Sequence, residues 1–177
     1  MLPDDLRGPA RTIESEDAEV FIERAVQVYP HLDPDFVSQL CYELPGHLDY
    51  VLPDFDPHHC GAFRVTRTAQ WVLENLQYFD GRDVFEEWSW HVDLFLIEGR
   101  KGSPLLQSML ENRTWSFPPV VVDARTAREL GLNSTGDKYF LTEGTHRVSY
   151  LSRLVALGRI EHTQLVELIE VRLLSGT

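Results

Sequence analysis

Residues 138–158 read KYFLTEGTHRVSYLSRLVALG, and they form the most informative stretch of the chain. The apolar run 139–142 is typical of a buried β-strand. Gly144 follows almost at once, and beyond it apolar residues recur at helical spacing until Gly158, which can end a helix. The stretch therefore predicts a strand, a tight turn and a helix over 146–157.

The rest of the second half is predicted to alternate short helices and strands. Ser103-Pro104 offers a helix N-cap followed by a proline in the first turn. Prolines at 118 and 119 lead into a run of valines, which is typical of a buried strand. The predicted elements are helices over 103–111 and 124–130 and strands over 120–122 and 166–171.

The first half is predicted to be mainly helical, because its apolar residues recur at helical spacing between proline and glycine breaks. The predicted helices cover residues 16–29, 34–44 and roughly 64–79, with a loop over 45–62. Alternating apolar and polar residues favour a strand over about 91–97, and a short helix over 83–89 is an alternative.

These elements together predict an α+β fold. A helical N-terminal region, residues 1–90, would precede a mixed sheet with helices, residues 91–177. The length suits one domain, and we expect the two regions to pack as one compact unit.

The chain is acidic, with 28 Asp and Glu against 16 Lys and Arg and a net charge of −12 over 177 residues. Non-specific binding to duplex DNA depends on cationic side chains that neutralise phosphates, so this charge disfavours it. A local basic pocket stays compatible with the composition. An acidic surface would also suit a basic protein partner.

The sequence predicts a cytoplasmic protein without membrane contact. Its two cysteines, Cys41 and Cys60, make no disulfide framework, which favours a reducing compartment. The N-terminus lacks the basic and apolar segments of a secretory signal. No stretch approaches the roughly 18 apolar residues of a membrane span.

The turn at Gly144 is the best candidate for a functional site. Glycine permits a backbone conformation that other residues avoid, and the first amides of a new helix can bind an anion. Arg147 offers a planar set of donors that fits a phosphate or carboxylate. Thr145 adds a hydroxyl, and His146 adds a donor or a titrating base.

The same residues permit a purely structural interpretation. Gly144 would then only make a tight turn, and Thr145 would only cap the helix. Arg147 would pair with Glu143 or Glu161. On local physics alone, the two interpretations are about equally supported.

The surroundings of this turn follow a recognisable order. The helix that begins at Ser103-Pro104 comes first, then the proline–valine run 117–122, then Gly144-Thr145-His146-Arg147. Turn and order resemble the ParB/sulfiredoxin-like superfamily, whose phosphate-binding turn often reads Gly-x-His-Arg or Gly-x-Arg-Arg. The resemblance covers about residues 92–172, and the first 90 residues match no family that we can name.

The resemblance implies a pocket for a nucleotide or phosphate, with ATP or CTP and magnesium as the cofactors to consider and otherwise none. Glu143 and His146 would be the candidate catalytic groups for phosphoryl transfer, which needs a base. Sulfiredoxins carry a cysteine where Thr145 stands, so their repair of an oxidised cysteine is not expected. The residues implied to surround the phosphates are Gly144, Thr145, His146 and Arg147.

Two further groups of residues are candidates for a phosphate contact and for a metal site. Arg113 follows the family's first helix and could approach the phosphates, although a solvent-facing helix end is the favoured interpretation. A polar cluster in the loop matches no zinc spacing, and we interpret it as a polar connection, so no metal site is predicted. That cluster consists of Asp54, Asp56, His58, His59 and Cys60.

Two functional hypotheses follow. In the first, the protein binds a nucleotide or a phosphorylated small molecule, with phosphoryl transfer or nucleotide hydrolysis as its activity if it is an enzyme. In the second, it is a non-catalytic acidic protein, such as an immunity protein, antitoxin or inhibitor. Electrostatic attraction would then speed its capture of a basic protein partner.

Overall fold

The computed structural model describes residues 2–8, 17–78, 82–99, 102–132 and 137–174. The helices are α1 (Ala18–Val28), α2 (Pro34–Phe36), α3 (Pro45–Val51), α4 (Ala69–Asn75), α5 (Ser89–Leu96), α6 (Pro104–Asn112), α7 (Ala124–Glu129) and α8 (Thr145–Ala156). The strands are β1 (Cys60–Thr68), β2 (Leu76–Tyr78), β3 (Val120–Asp123), β4 (Tyr139–Glu143) and β5 (Leu165–Leu173). A 3₁₀ helix, Asp4–Leu6, precedes α1, and a π-helical segment, Val37–Glu43, continues α2.

The strands form one five-stranded mixed sheet in the order β1-β5-β3-β4-β2. β2 pairs with β4 in parallel, with Leu76 opposite Tyr139 and Tyr78 opposite Leu141. The prediction of an α+β fold is therefore confirmed. In the described ranges, no helix combines the length and apolarity needed to cross a membrane.

The chain divides into two compact units. Unit 1 comprises Met1–Arg64, Val122–Asp137 and Ile169–Thr177, and unit 2 comprises Val65–Val121 and Lys138–Leu168. Each unit combines segments from both halves of the sequence, and the boundary expected near residue 90 lies inside unit 2.

Unit 1 is built around the π-helical segment, against which α1, α2 and α3 pack. Asp33 caps α2 by accepting from the amide of Asp35 at 2.8 Å. The guanidinium of Arg64 donates to the carboxylate of Asp33 at 3.0 Å and to the carboxylate of Asp35 at 2.7 Å. In the apolar interior, the rings of Phe36 and Phe55 lie 5.3 Å apart and both residues are almost fully buried.

Unit 2 has its own apolar core, and α8 packs against both α4 and α5. Val148, Leu151 and Leu154 face inward from α8 and are fully buried. Their spacing of three residues places them on one helical face. This packing fixes where α8 begins, which matters for the candidate site.

The predicted helix over 64–79 is wrong for most of its length, and the predicted helical region 1–90 also contains the strands β1 and β2. β1 extends to Thr68, α4 covers only Ala69–Asn75, and β2 follows directly. Exposure alternates along β1, with Arg64 and Thr66 exposed and Val65 half-buried between them, as in a strand with one covered face. The side chain of Thr68 then accepts from the amide of Trp71 at 3.1 Å and caps α4.

Two other predictions in the first half also need correction. The loop over 45–62 contains α3, which begins at Pro45, and the first residues of β1. The predicted strand over 91–97 is instead the helix α5. His91 and Asp93 alternate with apolar neighbours as they would in a strand, whereas the apolar residues 92, 95 and 96 also fit helical spacing. Val92 faces the core of unit 2, and Asp93 pairs with Arg153 of α8 at 2.7 Å.

The remaining elements are confirmed with small shifts of their ends, namely the helices near residues 16–29, 34–44, 103–111, 124–130 and 146–157 and the strands near 120–122, 139–142 and 166–171. Glu16, where the first predicted helix begins, and Phe79, where the third was to end, lie outside the described residues.

Candidate functional site

The turn between β4 and α8 depends on Gly144. Its φ is +108°, a conformation that side-chain-bearing residues rarely adopt. A Cβ atom at this position would also lie 2.7 Å from the Cβ atom of Pro119. Glycine is therefore required here both by backbone conformation and by the close approach of the segment before β3.

Arg147 ties the first turn of α8 to the same segment. Its Nη1 donates to the backbone carbonyl oxygens of Phe117 at 3.0 Å and Pro118 at 3.1 Å. Its Nη2 donates to Glu143 at 3.4 Å, and only 14% of the Arg147 side chain is exposed. This matches the structural interpretation of the residue, including its pairing with Glu143. A role as a phosphate ligand stays a prediction.

A pocket of about 310 Å³ lies at the start of α8, within unit 2. Three helices begin around it, because the lining includes His91 from the first turn of α5, the N-cap Ser103 of α6 and the first turn of α8. The lining residues are His91, Ser103, Leu105, Glu143, Gly144, Thr145, His146, Arg147 and Tyr150. The predicted turn thus opens into a real cavity.

The three helix starts differ in how they are capped. Ser103 caps α6, since its side chain accepts from the amide of Leu106 at 3.2 Å. Gly144 precedes α8 and has no side chain that could cap it. Trp88 stands at the N-cap of α5 and makes no side-chain cap bond, but the amides of Ser89 and His91 in the first turn already donate to the carbonyl oxygens of Glu86 and Trp88, each at 3.1 Å. Amides at uncapped helix starts are the groups that bind anions.

Aromatic rings line one side of the pocket. The ring of His146 stacks on Trp88 with centroids 4.2 Å apart and planes 22° apart, and it lies 6.2 Å from the ring of His91. The Nδ1 atom of His91 lies 2.9 Å from the hydroxyl oxygen of Tyr150, a hydrogen bond that fixes the His91 ring. Tyr150 is itself almost fully buried.

Burial lowers the pKa of His146 from its ordinary value, and the neighbouring His91 adds to this effect. Trp88 contributes to this burial by covering one face of the His146 ring, although His146 as a whole is exposed. Arg147 also lowers the pKa, whereas Glu143 and Glu87 raise it. At neutral pH the His146 ring is therefore uncharged and can act as donor and acceptor.

We expect an NMR titration to give His146 a pKa below that of histidine in an unstructured peptide. Because the folded-state pKa is the lower one, His146 contributes stability above the ordinary pKa, and this contribution is lost as the pH falls through the folded-state pKa. The variant His91→Gln should move the value upward, since it removes the neighbouring ring that lowers the pKa of His146. A His146 pKa at or above the peptide value would contradict this prediction.

The structure does not bring Arg113 to this pocket. It stands at the C-cap of α6 with φ of +57°, whereas Ser103 at the opposite end of α6 lines the pocket. Nine helical residues separate them, a length of about 14 Å. This placement matches the favoured interpretation of Arg113 as a helix end.

In the polar loop before β1, the carboxylate of Asp56 is bonded to its neighbours in the chain. Asp56 accepts from the amide of His58 at 2.9 Å and lies 2.8 Å from Nδ1 of His59. The backbone bond from His58 is the main reason that the pKa of Asp56 is lowered. Among the described residues, no group of three or more His, Cys, Asp or Glu side chains could hold a metal ion.

Sequence reasoning missed four lining residues: His91, Ser103, Leu105 and Tyr150. Ser103 was predicted as a helix start, and helix starts can bind anions, so this signal was present. His91 was assigned to a strand, where it would not share a face with α8. Tyr150 looked like an ordinary core residue at helical spacing.

The structure thus contains a glycine-dependent turn that borders a cavity at the starts of three helices. Comparisons with models of known protein families, with curated proteins and with solved structures gave no match.

Proposed function

We propose that this protein binds a small phosphorylated molecule, nucleotides included, in the pocket where α5, α6 and α8 begin. The observation that carries the proposal is the convergence of these three helix starts on one cavity. Each helix start carries a partial positive charge, so together they favour an anion. The ParB/sulfiredoxin-like resemblance of the turn leads to the same expectation.

The start of α8 would provide the principal contacts with the phosphate. Thr145 offers its hydroxyl, and the amides of the first turn follow a glycine that has no capping oxygen. Arg147 would act through its charge, because its Nη1 already donates to two carbonyl oxygens. His146 and His91 would stand on the aromatic side of the ligand.

Glu143 is the one carboxylate among the described residues that line the pocket. Magnesium is usually held by one or two carboxylates together with the phosphates of the substrate. Glu143 would therefore be the residue to hold a magnesium ion that enters with a nucleotide. Phosphoryl transfer and nucleotide hydrolysis stay predictions.

The variant Thr145→Glu tests the proposal. A carboxylate in the first turn of α8 favours the helix by about 0.3–1 kcal/mol but repels an anion, so the protein should fold and lose its ligand. The measurement is a thermal-shift series with ATP, CTP and inorganic phosphate, with and without magnesium. A ligand at about 100 times its Kd adds roughly 2.7 kcal/mol of stability to the wild-type protein.

Thr66→Glu is the matched control, since it adds the same charge at an exposed position of β1. It should retain the ligand response of the wild-type protein. The proposal fails if none of these ligands stabilises the wild-type protein, or if Thr145→Glu responds as strongly as Thr66→Glu.

A further inference from the structure

The two histidines at the pocket indicate how its ligand is bound, an inference that rests on the proposed function. We infer that an anion enters this pocket together with a proton, which is taken up by His146, so that affinity rises as the pH falls. The ligand class is a tetrahedral dianion, and His146 is the residue that couples its binding to pH.

The position of His146 supports this role. It is the second residue of α8 and lines the pocket, so its ring lies among the groups that would surround the anion. A neutral imidazole has one donor, whereas a protonated one has two and carries a charge. Trp88 stacks on the ring and holds it in place. Protonation therefore improves contact with an anion without a change of side-chain position.

The charges that face His146 come from every neighbouring element. From α5 and α8, His91 and Arg147 oppose its protonation. From β4, Glu143 favours protonation, but it lies 3.4 Å from the guanidinium of Arg147. Tyr150 is engaged with His91 through its hydroxyl.

From the segment before α5, Glu87 also favours protonation, but it pairs with Arg82 at 3.2 Å. The start of α6 contributes Ser103, which is uncharged. Together these influences lower the pKa of His146, so that its ring is uncharged at neutral pH. A dianion would add further negative charge beside the ring and would raise the affinity of the ring for a proton.

Sulfate is the probe that tests the coupling, because it stays a dianion from about pH 5.5 to 7.5, whereas phosphate changes its own charge in this range. Isothermal titration of the full chain should show sulfate binding at least about tenfold tighter at the lower pH. One proton per anion sets the upper limit of about tenfold per pH unit. Titration in two buffers with different ionisation enthalpies should show proton uptake near pH 6.5.

The variant His146→Gln should bind sulfate with an affinity that no longer depends on pH. His162→Gln, at an exposed position of unit 2, is the matched control and should keep the wild-type dependence. Circular dichroism at each pH checks that both variants are folded. The variant His91→Gln distinguishes the contributions of the two histidine rings. It should retain a pH dependence of sulfate binding if His146 takes the proton.

The inference is overturned by a sulfate affinity that is flat across pH in the wild-type protein. It is also overturned if His146→Gln keeps the dependence, if His91→Gln alone abolishes it, or if sulfate does not bind at either pH. In each case, stabilisation by nucleotide or phosphate that is lost in Thr145→Glu would leave the proposed function standing.

Discussion

The variant Gly144→Ala is expected to lower the free energy of unfolding by about 3 kcal/mol. Two costs combine at this position. Alanine must adopt a φ of +108°, and its Cβ atom must lie within 2.7 Å of the Cβ atom of Pro119. A shift of the proline would disturb the segment that leads into β3, so little relaxation is available.

Urea unfolding followed by circular dichroism measures this effect. Gly158→Ala is the matched control, since Gly158 has φ of +66° but open space around its Cβ position. It should cost only the backbone strain, about 1 kcal/mol. Equal losses in the two variants would show that contact with Pro119 does not constrain the turn.

The variant Arg147→Ala is expected to lower the free energy of unfolding by about 2–3 kcal/mol. The guanidinium donates to the carbonyl oxygens of Phe117 and Pro118 and to Glu143, and it is largely buried. Its removal leaves these acceptors without a charged donor and loosens the start of α8 from the segment before β3.

Arg125→Ala is the matched control for chemical unfolding. Arg125 also pairs with a glutamate four residues away, Glu129 at 3.0 Å, but its side chain is 83% exposed. Exposed pairs contribute little, and the loss should be below about 0.5 kcal/mol. If Arg147→Ala were as mild as Arg125→Ala, the bonds to the two carbonyls would not stabilise the fold.

The stability of these variants also bears on ligand binding. An Arg147→Ala protein that binds no phosphate would be ambiguous, because the same change disturbs the turn. Thr145→Glu avoids this difficulty, since it adds a charge at a half-buried hydroxyl and keeps Arg147 in place. The two variants therefore separate the structural contribution of the turn from its contribution to binding.

The strand, glycine and helix at 139–157 were predictable because their signals are local. Gly144 and the helical spacing after it act over a few residues, as does the Ser103 cap of α6. The same reasoning failed for β1 and α5. In β1 the apolar residues also fit a helical spacing, and in α5 the polar residues Ser89, His91 and Asp93 alternate with apolar ones as they would in a strand, so local periodicity favoured the wrong element in each case.

For function, the sequence located the candidate site but left its role as a prediction. The candidate turn was found from sequence because a glycine before a new helix is visible without the fold. Whether phosphate binds there, and whether the acidic surface meets a basic protein partner, stay predictions that the experiments above address. The lining residues His91 and Tyr150 share the pocket because α5 packs against α8, a contact that no local pattern indicates.

The α+β class and the strand–turn–helix at Gly144 were predictable without the structure, since they follow from glycine, capping and periodicity within single segments. The folded structure, by contrast, was needed to show that Gly144 lies against Pro119 and that Arg147 binds the carbonyl oxygens 29 and 30 residues before it. It also decided that three helices begin at one pocket. Such contacts depend on how whole elements pack, and no local pattern of residues specifies them.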